Sequence, residues 1–131
     1  MNTVIESLYQ EIGQEAINFA DGLSGRLLIY AEVEEGTLSA DMFYVSDASG
    51  RVRFRFCPKN IQGLIMNLWE EWKKYEGNRE WRVLNYVIDD GKFSIDLSYP
   101  DQVNEDEELS DRRPLAVKKY FGDAEVNYKN P

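Results

Sequence analysis

Histidine is absent from this 131-residue chain, and cysteine occurs once, at Cys57. The first absence removes the commonest general base and the commonest transition-metal ligand together. Zinc sites, Cys–His pairs and Ser–His–Asp triads are thereby excluded. Only carboxylate chemistry, such as magnesium binding or a glycosidase pair, stays formally open, and no cofactor or metal is expected. A lone cysteine forms no intrachain disulfide, which fits a reducing compartment. No apolar run approaches the roughly 20 residues of a membrane span. The N-terminal MNTVIESLYQEIGQEAI also lacks the basic-then-apolar layout of a signal peptide. The chain therefore reads as a soluble cytoplasmic protein with no membrane partner.

Base is scarce as well. Fifteen Lys and Arg stand against 24 Asp and Glu, a formal charge of −9 and a pI near 4.5. Such a balance argues against direct binding to nucleic-acid phosphates. The shortage is sharpest in one loop, where Asp101, Glu105, Asp106, Glu107, Glu108 and Asp111 occur with no Lys or Arg among them. Those eleven positions hold two thirds of the net charge. A focused negative patch speaks about partners, whereas a diffuse one speaks mainly about solubility.

What is present is foldable. Apolar residues make up 43% and aromatics 13%, enough to build a core and too much for a disordered chain. The length suits one domain, residues 1–131. Residues 3–20 place Val4, Ile5, Leu8, Ile12, Ala16 and Phe19 at helical spacing, with Asn2 or Thr3 as the cap. Three alternating runs follow, at about 27–34, 38–45 and 51–56, separated by Glu35-Gly36 and by Ser46 to Gly50. Short loops between them imply an antiparallel meander with one covered and one wet face.

Pro58 stops the third run, and Asn60 is the expected cap of a helix marked by Ile61, Leu64, Ile65, Leu68, Trp69, Trp72 and Tyr75. Two more strands, 80–88 and 92–99, flank the hairpin signal Asp89-Asp90-Gly91. A short helix from about Asp111 to Phe121 tolerates Pro114 only in its first turn, and residues 123–131 read as a flexible tail. The fold class is α+β, in the order α-β-β-β-α-β-β-α. Its economical form is an antiparallel sheet of about five strands with helices packed on one face.

Each candidate site has a plain structural reading beside the functional one. Arg51, Arg53 and Arg55 form a ladder that could hold an anion; on a wet face they would instead pair across strands with Asp41, Glu32 or Glu34. Trp69, Trp72, Tyr75 and Trp81 look like core, three of them at helical spacing. If the even-numbered face of the first strand is wet, Tyr30 joins Leu28 on an exposed patch of the kind that marks contacts, with Phe43 and Tyr86 as further candidates. Glu32, Glu34, Asp41 and Asp96 could be imagined as paired catalytic or metal-binding carboxylates, but nothing in their spacing makes them converge. There is no Gly-rich phosphate loop, and Asp89-Asp90-Gly91 is too short for a calcium loop. The acidic loop is either a solvated connector or a docking surface on which carboxylates take the place of nucleic-acid phosphates.

The segments RLLIYAEVEEGTLSADMFYV and GKFSIDLSYPD, a Trp-containing helix between them, and a closing DRR…KKYFG resemble the YezG-like family of bacterial antitoxin and immunity proteins. The likeness spans about Leu27 to Gly122. Its most telling part is the strand Lys92–Tyr99 with Arg112-Arg113 and Tyr120-Phe121-Gly122. The resemblance implies an α-β(3)-α-β(2)-α fold and a protein that is not an enzyme. It implies binding to the toxic C-terminal domain of a cognate polymorphic toxin, commonly a nuclease and here expected to be basic. No catalytic residues carry over. On that reading the toxin-binding residues are Asp101, Glu105, Asp106, Glu107, Glu108 and Asp111. The competing reading is a small-ligand or regulatory module with a pocket between the sheet and the helix 61–75.

Overall fold

The computed structural model describes residues 3–46, 50–75, 77, 79–104 and 106–129. Helix α1 runs Thr3–Ala20, and strands β1 (Leu27–Glu34), β2 (Thr37–Tyr44) and β3 (Val52–Phe56) follow. Helix α2 spans Lys59–Tyr75, strands β4 (Val83–Asp89) and β5 (Lys92–Ser98) come next, and α3 covers Leu109–Phe121. The expected order therefore holds. A two-residue strand, β6 (Val126–Asn127), is added in the segment expected to be a tail.

One sheet contains all the strands, in the order β5-β4-β1-β2-β3-β6. Every pairing is antiparallel except β3 with β6. The hairpins turn where the sequence signals them. Glu35-Gly36 and Asp90-Gly91 each take two consecutive positive φ values, the tight-turn geometry whose twist matches that of paired strands.

Helices α1 and α2 share one face, as expected. Ile5, Ile12 and Ala16 of α1 and Ile61, Ile65 and Leu68 of α2 are buried against Leu27, Ile29, Met42, Leu84 and Tyr86 of the sheet. At Gly13 the approach is so close that a Cβ would stand 2.6 Å from the Phe93 ring and from the Tyr86 hydroxyl. That hydroxyl donates to the Tyr9 carbonyl at 2.5 Å, tying α1 down to β4.

The third helix departs from the one-face arrangement. α3 lies across the opposite face, where Val117, Leu109, Ala116 and Tyr120 cover Leu28, Tyr30, Phe43, Val52 and Val87 in a second core. The wet face expected for the central strands is therefore dry: β1 is buried through seven of its eight residues. Leu28, Tyr30 and Phe43 are covered by α3 and form no exposed patch, and Tyr86 belongs to the first core. Alternation in the sequence was real, but it separates two cores.

Local details shift with this packing. α3 begins at Leu109, so Pro114 sits inside the helix beyond its first turn. It costs the helix one N–H at an exposed position, which water can offset at the facing carbonyl. Asn60 lies inside α2, and its amide donates to Glu15 on α1 at 3.0 Å. Asn2 is outside the described residues.

Candidate interaction surface

Two acids are buried on the face under α3, Glu32 and Asp41. Period two puts Glu32 on the face of β1 that carries Leu28 and Tyr30, and Asp41, paired with Tyr30, on the same face of β2 beside Phe43, so α3 must bring their counter-charges. It does so with adjacent arginines. Arg112 Nε and Nη2 donate to the two oxygens of Glu32 at 2.9 and 2.6 Å. Arg113 Nη1 donates to Asp41 Oδ2 at 2.8 Å. The Tyr30 hydroxyl adds a 2.5 Å bond to Glu32, and Arg82 stands 3.9 Å from Glu32 and 3.1 Å from Glu34.

Burial alone pushes the Glu32 carboxyl up. The hydrogen bonds from Arg112 and Tyr30 and the charges of Arg112 and Arg82 outweigh that, holding it below the ordinary carboxylate range. The Glu32 hydrogen bond raises Arg112, and burial raises Tyr30. Arg112 also reaches the loop. Its Nη1 donates to the Asn104 carbonyl at 3.2 Å and, more closely, to the Glu107 carbonyl. One guanidinium thus ties the acidic loop to the second core.

Above this floor lies a cleft of about 710 Å³. The β1–β2 hairpin forms one wall with Glu34, Glu35, Thr37 and Ser39, and Glu107, Glu108 and Leu109 form the other. Five glutamates and two arginines line it, so the cleft is net negative. The surface continues across the sheet. Ser39 and Asp41 share a face, and Asp41 is paired in register with Phe56, which is 61% exposed. Phe56 packs edge-on against Phe54, and Phe54 packs in turn against the exposed Tyr128. Carboxylates and exposed aromatics therefore lie along one side of the molecule.

No protein-family model matches this chain, and no curated protein matches it either. The surface is accordingly read from its own chemistry.

The six acids singled out in the sequence separate. Glu107 and Glu108 line the cleft. Asp111 serves the helix instead, since its Oδ2 accepts the Glu108 backbone N–H at 2.9 Å and caps α3. Asp106 is exposed, its backbone N–H turned onto Asn104 Oδ1 at 3.0 Å. Asp101 lies apart, in the short 3-10 turn Pro100–Gln102, 3.9 Å from Arg79. Glu105 lies outside the described residues. Glu34 and Glu35, which lie outside the loop in sequence, complete the patch. What connects them is the hairpin's position opposite the loop, a tertiary fact.

The arginine ladder does not pair as the sequence suggested. Arg53 and Arg55 stand opposite Tyr44 and Met42, on the α1–α2 side, while Asp41 and Glu32 face α3. A strand puts neighbours on opposite faces, so those partners were out of reach. Arg51 instead pairs with Glu125 at 3.0 Å, and Arg55 lies over the Phe19 ring. The carboxylates considered for catalysis are likewise held by cations, Glu32 and Asp41 by α3 and Asp96 by Lys119 at 3.6 Å. Among the described residues no cluster of three metal-ligating side chains occurs, and no helix is long and apolar enough to cross a membrane. Cys57 is buried, and burial with the nearby Asp41 charge pushes its thiol up to about 12, away from the reactive thiolate.

Of the aromatic group, Trp69 and Trp81 are core, joined by a 3.0 Å bond from the Trp69 indole to the Trp81 carbonyl. Ile61, Ile65 and Leu68 on the inner face of α2 are buried in the same core. The opening beside α2 lies at its C-terminal end, where Trp72 meets Tyr9, Ile95, Leu97 and Tyr99 around about 510 Å³.

Proposed function

We propose that this protein is an immunity protein: it binds the toxic domain of a cognate bacterial toxin, a basic nuclease being the expected class, and neutralises it in the cytoplasm without catalysis of its own. The observation that carries the reading is the acidic cleft, in which Glu107 and Glu108 from the loop face Glu34 and Glu35 from the hairpin. A surface of this kind complements a cationic nucleic-acid-binding face, raises the association rate and discriminates against acidic partners. The exposed aromatics Phe56 and Tyr128 beside it have the chemistry of affinity hot spots. The likeness to YezG-like immunity proteins supports the same reading, as does the order of elements that it implies.

The division of labour differs from a loop acting alone. Arg112 holds the loop against the core, Asp111 caps the helix behind it, and the cleft glutamates meet the partner. The test is coexpression with the C-terminal domain of the toxin encoded beside this gene. The wild-type chain should rescue growth and form a one-to-one complex. The variant Glu34→Lys/Glu35→Lys/Glu107→Lys/Glu108→Lys should associate at least tenfold more slowly and fail to rescue. Absence of rescue by the wild type would overturn the function. Full rescue and unchanged association by the variant would overturn the cleft.

A further inference from the structure

The two ends of the sheet are finished differently. On one side the two-residue β6 pairs with Val52 and Arg53 of β3, whereas the seven-residue β5 is the terminal strand on the other. Its seven residues, Lys92–Ser98, contain no proline, and among the described residues no strand pairs with its outer side. A row of unpaired backbone N–H and C=O groups is a template for another extended chain.

The side chains beside that edge are arranged for the same purpose. Phe93, Ile95 and Leu97 point to the helix face but are only half-buried, because α1 and α2 stop short of the edge. The gap is the 510 Å³ groove, with Ile95 and Leu97 as its floor and Tyr9, Trp72 and Tyr99 as walls. Those walls are held in place. The Trp72 indole donates to the Tyr99 hydroxyl at 2.9 Å, Arg79 lies 3.6 Å over the Tyr99 ring, and Tyr9 packs on Tyr86 and Phe93. Glu6 and Gln10 form the rim, and a second depression, shared by Glu6, Gln10, Glu11 and Phe93, continues along α1.

We propose that this edge receives an extended segment of a partner protein, which adds to β5 as a further strand. One bulky aliphatic side chain enters the groove, and a Lys or Arg two residues away lies beside Glu6 and Glu11. The period of two matches groove and rim to alternate residues of one strand. The rim carboxylates select a cationic segment. A second copy of the chain is disfavoured, since it would bring the same acids and another −9 of charge to the edge. The β5 edge is separate from the acidic cleft, and its strand-accepting role does not depend on the toxin reading.

The probe is the acetylated, amidated heptapeptide Thr-Lys-Thr-Leu-Thr-Lys-Thr, titrated into the full chain and followed by NMR hydrogen exchange. Alternate amides of β5 should gain at least tenfold protection, with shifts at the Trp72 indole. Glu6→Lys/Glu11→Lys, on the exposed face of α1, should weaken binding about fivefold at low salt. The cleft variant with four lysines should bind the peptide at least as well as the wild type, which separates failure here from failure of the proposed function. Three results would overturn the proposal: no protection of β5; equal binding of a peptide N-methylated at alternate residues, which would make the groove a side-chain pocket; or a dimer in sedimentation with β5 amides already protected, which would make a second copy the occupant.

Discussion

Replacing Arg112 by Met keeps an aliphatic stem of similar length and removes the charge that Glu32 depends on. Glu32 is 4% exposed, and without Arg112 its nearest cation is Arg82 at 3.9 Å, a group already engaged with Glu34 at 3.1 Å. Removing one member of a buried pair typically costs about 3–5 kcal/mol, because the other charge is stranded. The Tyr30 hydroxyl and Arg82 remain, which sets the expected loss toward the lower end, about 3 kcal/mol, or about 10 °C in Tm. Adding Glu32→Gln removes the stranded charge while keeping an acceptor for Tyr30, and should recover more than half of the loss. Urea unfolding followed by tryptophan fluorescence, with m held common, measures both variants. A cost below about 1 kcal/mol for Arg112→Met, or no recovery in the double variant, would refute the assignment of Glu32 as a buried anion held by Arg112. Because Arg112 also binds the carbonyls of Asn104 and Glu107, amides of residues 104–108 should exchange faster in the variant.

The same pair sets the response to acid. Glu32 titrates below its unfolded value, so its contribution is complete above the unfolded pKa of about 4.3 and is lost as pH falls through the lower, folded value. Stability should therefore fall with pH below about 4, and Arg112→Met should flatten that slope in a pH series of urea midpoints. Gly13→Ala tests the seating of α1. Alanine is the better helix former by about 1 kcal/mol, yet its Cβ would meet Phe93 and Tyr86 Oη at 2.6 Å. We expect a net loss of about 1–2 kcal/mol in the same assay, and a stabilised variant would contradict the close approach.

Much of the local structure was readable from the chain. Glu35-Gly36 and Asp90-Gly91 announced their turns because few residue pairs accept two positive φ values, and Ile61 to Leu68 announced a helix by its spacing. The acids and arginines of the site were visible as residues, the adjacent Arg112-Arg113 among them. Their pairing was not visible. Alternation states that a strand has two faces, but it cannot say what covers the second. Glu32 beside Leu28 and Tyr30 reads as a wet face until α3 is laid over it. Only that placement decides that Glu32 is a buried anion and that Arg112, 80 positions away in sequence, lies 2.6 Å from it in space. The charge of the loop was written in the sequence, because charge is a property of composition. Its completion by Glu34 and Glu35 required the hairpin and the loop to meet, and side-chain partners so distant along the chain are chosen by packing.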